Sequence, residues 1–358
     1  MGARGIVLFG YLGGGNLGDD LMLDGLLEVL KSTSRPITIL ARDPQAVSLP
    51  AGLTAKIYPA SARAALKAAL AGADFVRVGG TSFHDEYATR SMTGRYVKLA
   101  GLYLLPRVRG GASFAFGVGA GRMERASTRA LASIAMKACR AVYARDPAST
   151  RALKGLVPTA NILDGVDLAF LRPHLVAGQD EDLLGLSILD LAPYGKTAVE
   201  QDAFWEATAR AALDATPNVR RVRLFVFKDN EAESDRPVCE RLARTLAARG
   251  LETEIIDQTP GRDTFLNALA ECGYFLATRY HAGILAAASR TRLAVVSYNE
   301  KLDRLAQDFA IETESVISPW RDPPETIRFS RPQPSADFER RKSGMATAIR
   351  DLLTGYAP

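Results

Sequence analysis

The sequence has little of what would place it in several large protein classes. Its three cysteines, Cys139, Cys239 and Cys272, lie far apart and form no CxxC pair, which argues against a structural zinc site or a disulfide framework. No apolar run approaches the roughly 18 residues that are needed to cross a bilayer. The motifs GxxxxGK(S/T), HExxH and GxSxG are also missing, which disfavours P-loop, zincin and α/β-hydrolase chemistry.

The charge balance indicates partners only weakly. A formal net charge of +5 favours acidic partners or a membrane surface. Basic residues are not clustered among aromatic ones, so nucleic acid is not predicted as a partner. The sequence has no obvious cluster of histidines and aspartates, so it does not predict a metal site. A strand pattern follows Met1 almost at once, without the cationic and apolar segments of a secretory leader, and we therefore predict a cytoplasmic location.

The chain of 358 residues is long enough for two domains. Strand and helix patterns alternate through the first half, break near Leu171–His174 and the acidic Gln179–Asp182, and restart with a strand at Leu184–Ile188. Such alternation predicts mostly parallel sheets with right-handed crossovers. We predict an α/β fold with two Rossmann-like domains facing a cleft. The predicted segments are an N-terminal domain over 1–172, a C-terminal domain over 183–335, and a last helix within 336–358 that packs back on the first domain.

The loop Gly10–Asp20 is the most distinctive segment. It follows the predicted strand Gly5–Phe9 and enters a helix predicted to begin at Asp20. Its Gly13-x-Gly15-x-x-Gly18 spacing formally matches the dinucleotide fingerprint. However, Asp19 and Asp20 would repel a pyrophosphate at the mouth of the helix, whereas carboxylates beside backbone amides suit sugar hydroxyls. We predict that this loop lies on the acceptor side of the cleft; the alternative is a structural turn in which Asp19 or Asp20 caps the helix.

Other polar residues directly follow predicted strands, where ligands of such sheets bind. These segments are Gly79–Asp85, Arg145-Asp146, Thr278–His281 and Asn299–Lys301. Two of the three histidines, His84 and His281, fall in them, and histidine titrates near neutral pH. Arg279-x-His281 combines an anion-binding guanidinium with a proton carrier. The alternatives are a surface loop for His84, a solvated turn for Arg145-Asp146 and a plain surface lysine for Lys301.

Six segments, taken in order, resemble the polysaccharide pyruvyl transferase family, and they extend over about residues 5–310. They are Gly10–Asp20, Val78–Thr81, Tyr143–Pro147, Asp164–Phe170, Thr278–Ile284 and Ser297–Lys301. The resemblance implies a glycosyltransferase-B-like architecture. It also implies transfer of an enolpyruvyl-derived group from phosphoenolpyruvate to a sugar diol, which gives a pyruvate ketal and inorganic phosphate. No cofactor and no metal are expected, because phosphoenolpyruvate is a co-substrate.

The resemblance maps an arginine-x-histidine element of the family onto Arg279 and His281, and a turn arginine onto Arg145. The other roles are inferred from the residues and from the chemistry of the reaction. Phosphoenolpyruvate is a small anion, and the residues predicted to bind it are Arg279, Arg145 and Lys301. Ketal formation needs a proton at the enol methylene carbon and a base for the sugar hydroxyl. We predict His281 as the acid and Asp19 or His84 as the base. The residues predicted to bind the acceptor are Gly13, Gly14, Asn16, Asp20 and Gly80.

Two other enzyme classes remain open. The first is a glycosyltransferase of the same architecture that uses a nucleotide sugar, with its diphosphate on Arg279 and Lys301 and Glu300 as a candidate ribose ligand. The second is an NAD-dependent oxidoreductase built on the glycine loop, with Asp43 as ribose ligand. A non-catalytic binding module is disfavoured by histidines and arginines at several strand exits. The expected acceptor is a glycan or a lipid-linked sugar of exopolysaccharide or cell-envelope biosynthesis. A lipid-linked acceptor would fit the basic charge and peripheral association with the inner face of the membrane.

Overall fold

The computed structural model of the chain describes residues 4–85, 91–173, 179–230, 233–259 and 261–354. The chain divides into two compact units. The first unit comprises Met1–Gly14, Gly18–Pro173 and Arg340–Pro358, and the second comprises Gly15–Leu17 and His174–Glu339. His174, in the predicted break, lies outside the described residues.

The first unit is built on parallel strands connected by helices. Its strands are β1 (Ile6–Phe9), β2 (Ile37–Ala41), β3 (Ala55–Pro59), β4 (Asp74–Val78), β5 (Thr81–Phe83), β6 (Ser113–Ala120), β7 (Cys139–Ala144) and β8 (Ile162–Asp164). Its helices are α1 (Leu17–Leu30), α2 (Ala62–Leu70), α3 (Ser91–Leu104), α4 (Ala126–Ala138) and α5 (Pro147–Leu156). The strand order is β3-β2-β1-β4-β6-β7-β8, with β5 paired to β6. This is a doubly wound sheet whose order reverses between β1 and β4.

The second unit repeats this plan. Its strands are β9 (Asp180–Ser187), β10 (Arg221–Phe225), β11 (Asp229–Asn230), β12 (Glu233–Ser234), β13 (Glu252–Ile256), β14 (Cys272–Ala277), β15 (Arg292–Val296) and β16 (Val316–Ile317). Its helices are α6 (Ala198–Asp214), α7 (Arg236–Ala247), α8 (Arg262–Ala270), α9 (Tyr280–Ala288) and α10 (Glu300–Asp308). The parallel sheet has the order β13-β10-β9-β14-β15-β16, while β11 and β12 form a separate antiparallel hairpin. Here the order reverses between β9 and β14.

The α/β class and the parallel sheets confirm the sequence prediction, but some element bounds differ. The strand predicted at Leu184–Ile188 begins at Asp180, because Asp180 pairs with Cys272 of β14. Arg221 of β10 binds both Asp180 and Asp182, which offsets the charge of these acidic residues. Helix α1 begins at Leu17, three residues before its predicted start. The short strands β5, β8 and β16 were not predicted, since two or three residues carry too little periodicity.

The last helix, α11 (Ala336–Leu353), places its residues from Arg340 onward in the first unit. There the Arg341 guanidinium donates to the carbonyl of Gly165 at 2.9 Å, and Met345 is fully buried. A Cβ at Gly165 would lie 2.7 Å from the sulfur of Met345, so this packing depends on the glycine. In the part of the chain that the structure describes, none of the helices combines the length and the apolar character needed to span a membrane.

Candidate functional site

The glycine loop of the first unit is held from within by a carboxylate. Asp20 is buried, and its Oδ1 accepts a hydrogen bond from the Gly13 N–H at 3.0 Å. Gly13 has a φ of +62°, and a Cβ there would lie 2.3 Å from the carbonyl oxygen of Asp43. The Gly13 amide is therefore bound to Asp20, which disfavours a pyrophosphate at this position. Asp43 itself caps a short 3-10 turn, where its side chain accepts from the Gln45 N–H.

We expect Gly13→Ala to destabilise the protein more than Gly15→Ala. Both residues have positive φ, and alanine there costs about 1–2 kcal/mol. A Cβ at Gly15 meets nothing within 4 Å, whereas at Gly13 it collides with backbone, which adds about 1–3 kcal/mol. Thermal unfolding of the two variants, followed by circular dichroism, measures the difference. Equal unfolding midpoints would show that the loop does not need the close approach of Gly13 to Asp43.

Asp19 lies beside a half-buried cation, Arg77 of β4, that the sequence prediction missed. A Cβ built on Gly80 would lie 3.5 Å from Asp19 Oδ1 and 3.8 Å from Arg77 Nη2, so both side chains converge on this glycine. The Arg77 Nε donates to Ser82 Oγ at 3.2 Å. Burial lowers the pKa of the Arg77 guanidinium, and the charge of Asp19 acts in the opposite direction. An arginine inside the otherwise apolar Phe75–Val78 run was the available signal.

Arg145, predicted to bind phosphoenolpyruvate, directly follows β7 in the first unit. It is 5% exposed, its Nη2 donates to Thr81 Oγ1 at 3.1 Å, and its Nε lies 3.5 Å from the Asp146 carboxylate. Asp146 also caps α5 by accepting from the Ser149 N–H at 2.7 Å. The guanidinium packs on Gly119, where a Cβ would lie 2.6 Å from its central carbon. Arg145 therefore ties β7 to its neighbours.

The segment around His84 is anchored by its backbone. The His84 N–H donates to the Tyr96 hydroxyl at 2.8 Å, and burial raises the pKa of Tyr96 to about 12. The next residue, Asp85, is buried and accepts from the N–H groups of Glu124 and Arg125 at 2.7 and 2.9 Å, just before α4. Asp85 thus positions the start of α4, and Tyr96 holds the backbone of His84, whose side chain is half-buried.

In the second unit, Arg279 follows β14, where the strand order reverses, and it is the N-cap residue of α9. Its Nε donates to Asp235 Oδ2 at 3.1 Å, and its Nη2 donates to Glu233 Oε1 at 2.7 Å and to Asp235 Oδ1. Burial alone would lower the pKa of Arg279, but the two carboxylates raise it well above its ordinary value. Burial raises the pKa of Asp235, and Arg279 opposes that change.

The surroundings of Arg279 balance its charge. Lys228, just after β10, forms an ion pair with Glu233, so two cations and two carboxylates form one cluster. The ring of Tyr298 lies edge-on to that of Tyr194, with centroids 5.0 Å apart, and burial raises the pKa of both phenols. The fixed charges around Arg279 therefore sum to about zero, so an anion placed there would bind through directed hydrogen bonds rather than through bulk attraction.

His281 lies in the first turn of α9, and its ring meets that of Tyr280 edge-on at 5.4 Å. The helix is rich in small residues and packs tightly on α10, since a Cβ at Gly283 would lie 2.4 Å from Leu305. The side chain of the N-cap residue, Arg279, makes no capping hydrogen bond with the first turn of α9. Such a helix start directs N–H groups and the positive end of the helix dipole toward an anion.

Lys301 lies in the first turn of α10, where its N–H donates to the capping Asn299 Oδ1 at 3.0 Å. The predicted phosphoenolpyruvate ligands therefore divide: Arg279 and Lys301 belong to the second unit and Arg145 to the first. The predicted acceptor residues divide as well. Gly13, Gly14, Asp20 and Gly80 belong to the first unit, and Asn16 groups with the second. Within the described ranges, no group of three His, Cys, Asp or Glu side chains could hold a metal ion.

The sequence prediction missed the partners of Arg279. Lys228, Glu233 and Asp235 lie between β10 and α7, so they also follow a strand. A signal was available, because Asp235 precedes the Arg236-Pro237 start of α7 and could have been recognised as a helix-start residue. Its pairing with an arginine 44 positions later depends on the sheet order.

Residues 16–300 match the sequence model of the family described as Polysaccharide pyruvyl transferase. No curated protein matches the chain. The solved structures that resemble it over most of its length include two epimerases and a synthase. UDP-GlcNAc 2-epimerase from Methanocaldococcus jannaschii is 11% identical with a TM-score of 0.57, and 98% of this chain and 99% of that chain are covered. A putative UDP-N-acetylglucosamine 2-epimerase from Listeria monocytogenes is 10% identical with a TM-score of 0.53, at 86% and 82% coverage.

The third structure, the trehalose-6-phosphate synthase OtsA, is 10% identical with a TM-score of 0.53, at 98% and 95% coverage. At such identities the likeness shows the fold alone. The fold is the α/β arrangement of parallel sheets in two domains that is found in glycosyltransferase-B enzymes and epimerases.

Proposed function

Because this chain belongs to the polysaccharide pyruvyl transferase family, as its motifs predicted, we propose that it transfers a pyruvyl group from phosphoenolpyruvate to a sugar diol of a glycan or glycan precursor. The products are a cyclic pyruvate ketal and inorganic phosphate. Membership of the family implies a polysaccharide acceptor. We further propose that phosphoenolpyruvate is the donor and that it binds in the second unit.

The start of α9 supports the phosphoenolpyruvate assignment. Here Arg279 is fixed by Asp235 and Glu233, His281 follows two residues later, and the helix start favours an anion. The hydrogen bonds of Arg279 among the described residues use Nε and Nη2, so Nη1 can bind a carboxylate or phosphate oxygen. Lys301, at the start of α10, supplies a second cation.

The reaction adds one proton to a carbon, removes a proton from each of two hydroxyls and breaks one C–O bond. His281 donates a proton to the methylene carbon of phosphoenolpyruvate, which becomes a methyl group and leaves an electrophilic C2. One sugar hydroxyl adds to C2 and loses its proton to a base. The C2–O bond to phosphate then breaks, and the second hydroxyl closes the ketal ring. One of the two hydroxyl protons ends on the methyl carbon and the other on phosphate. General acid–base groups contribute about 10²–10⁴-fold each to such steps.

We assign the acceptor to residues of the first unit around Gly80. Asp19 converges there with Arg77, and its half-buried carboxylate suits a base for a sugar hydroxyl, with His84 as the alternative. Asp20 is buried against Gly13 and Arg145 against Thr81, so we assign these two residues to shaping the site. This assignment separates residues that the sequence alone had grouped.

Phosphate release tests the proposed function directly. The protein is mixed with phosphoenolpyruvate and a panel of candidate glycan acceptors, and inorganic phosphate is measured with and without each acceptor. We expect acceptor-dependent release, and a rise in the thermal unfolding midpoint with phosphoenolpyruvate alone. We also expect Arg279→Lys to raise the KM for phosphoenolpyruvate by about tenfold or more, since a lysine cannot reproduce the guanidinium contacts. Stabilisation by sugar nucleotides but not by phosphoenolpyruvate would favour a glycosyltransferase instead.

A further inference from the structure

A pocket of about 570 Å³ opens at the carboxyl ends of β15 and β16 in the second unit. Its wall includes Tyr298 and Asn299, which directly follow β15, and Asp303 of α10. The opposite wall comes from the segment after β16, including Ser318 and Trp320. The volume lies within the usual range of small-molecule sites. None of the roles assigned so far uses this pocket.

The pocket presents an aromatic surface to solvent. Trp320 is 50% exposed, whereas the other tryptophan, Trp205, is 1% exposed and donates its indole N–H to the Leu189 carbonyl. An exposed indole offers a flat apolar face on which a ligand ring can pack, with its N–H available as a donor. The C–H face of a pyranose ring is apolar while its edge carries hydroxyls, so it can pack on an indole while its hydroxyls reach polar groups.

The polar groups of the pocket disfavour an anionic ligand. Three carboxylates, those of Asp303, Glu314 and Asp322, line it, and Arg321 is the cation among its lining residues. The resulting excess of negative charge would repel a diphosphate or phosphoenolpyruvate. Carboxylates, an amide and hydroxyl groups are instead good partners for the hydroxyls of a neutral sugar.

We propose that this pocket, defined by Trp320, Tyr298, Asn299, Asp303, Glu314 and Asp322, binds a neutral pyranose ring stacked on Trp320. Asn299 connects the pocket with the proposed phosphoenolpyruvate ligand Lys301, because its Oδ1 accepts from the Lys301 N–H at 3.0 Å. The saccharide is thus bound beside the proposed phosphoenolpyruvate site. Its identification as part of the acceptor, namely a sugar unit of the glycan, rests on the proposed function. The binding of a saccharide to this pocket does not depend on the proposed function.

Tryptophan fluorescence tests the binding, with cellotriose, maltotriose and mannotriose as probes and UDP as an anionic competitor. We expect at least one trisaccharide to change the emission of the native protein and of Trp205→Phe. The change is expected to vanish in Trp320→Phe, while Tyr58→Ala, which removes an exposed aromatic side chain of β3, leaves it intact. No response to any trisaccharide, or an equal response in Trp320→Phe, would overturn the proposal. Displacement of the sugar by UDP would also overturn it, because it would mark a nucleotide site.

Kinetics then separate this pocket from the donor site. For an acceptor found active in the phosphate assay, we expect Trp320→Ala to raise the acceptor KM about tenfold, as the loss of aromatic stacking predicts, with the KM for phosphoenolpyruvate unchanged. An unchanged acceptor KM would contradict a role of the pocket in acceptor binding. If no acceptor releases phosphate, the proposed function fails, while the fluorescence measurement still decides whether the pocket binds a saccharide.

Discussion

His281→Ala should lower the kcat for ketal formation by about 10²–10⁴-fold and leave the protein folded. The loss is expected because the variant has no proton donor for the methylene carbon of phosphoenolpyruvate. Folding should survive because the His281 side chain is half-buried at the start of α9 and alanine is a better helix former than histidine. Ketal product is measured by NMR of its methyl group, and folding by circular dichroism.

The controls for this prediction separate catalysis from binding. His281→Gln keeps a hydrogen-bonding side chain that cannot titrate near neutral pH, and it should be as inactive as His281→Ala. Tyr280→Phe keeps the ring that meets His281 edge-on and should retain most activity. Phosphoenolpyruvate should still raise the unfolding midpoint of His281→Ala. Near-normal turnover in either His281 variant would show that another group protonates the donor.

The parts of the fold and of the site that can be predicted from the sequence are those determined by the local pattern of apolar and polar residues. The apolar run Ile6–Phe9 predicts a strand over Gly5–Phe9, and the structure has β1 at Ile6–Phe9 with all four residues buried. Arg279-x-His281 was placed at a strand exit, and it lies at the start of α9 where the strand order reverses. Strand exits can be found from sequence because hydrophobic runs end there and polar or glycine residues follow.

What the sequence could not predict depends on neighbours in space. Arg279 looks like an open anion clamp in sequence, but Asp235 and Glu233 come to it through the order β10-β9-β14. Asp20 illustrates a second limit, because a carboxylate at a helix start can face a ligand or turn inward. Its inward bond to Gly13 follows from the positive φ of that glycine, which periodicity does not encode.

The neutral cluster at Arg279 changes what the arginine is expected to do. An arginine with free donors would attract any phosphate, whereas one held by two carboxylates presents a fixed edge to its ligand. Fixed donors bind a ligand of matching geometry at lower entropic cost. The fixed guanidinium of Arg279 therefore favours a ligand whose oxygens match its geometry over anions in general. This requires that Asp235 holds the guanidinium in place.

Asp235→Ala is accordingly expected to lower the free energy of unfolding of the second unit by about 3–5 kcal/mol, because it leaves the guanidinium of Arg279 buried without its main partner. The Asp235 side chain is 0% exposed and that of Arg279 is 15% exposed, so water cannot replace the carboxylate. Urea unfolding followed by circular dichroism measures the loss. The stabilisation by phosphoenolpyruvate should disappear as well, since Arg279 would no longer be oriented.

Asp229→Ala is the matched control for this prediction, because it removes a carboxylate from the hairpin that directly precedes Asp235. Its side chain is 43% exposed and pairs with Arg236 at 2.9 Å, so its loss should cost only about 0–1 kcal/mol. Asp235→Asn, which keeps the shape and one acceptor oxygen, should fall between the two. A cost for Asp235→Ala no larger than that for Asp229→Ala would show that Arg279 finds other partners, and the fixed guanidinium would then not explain donor selectivity.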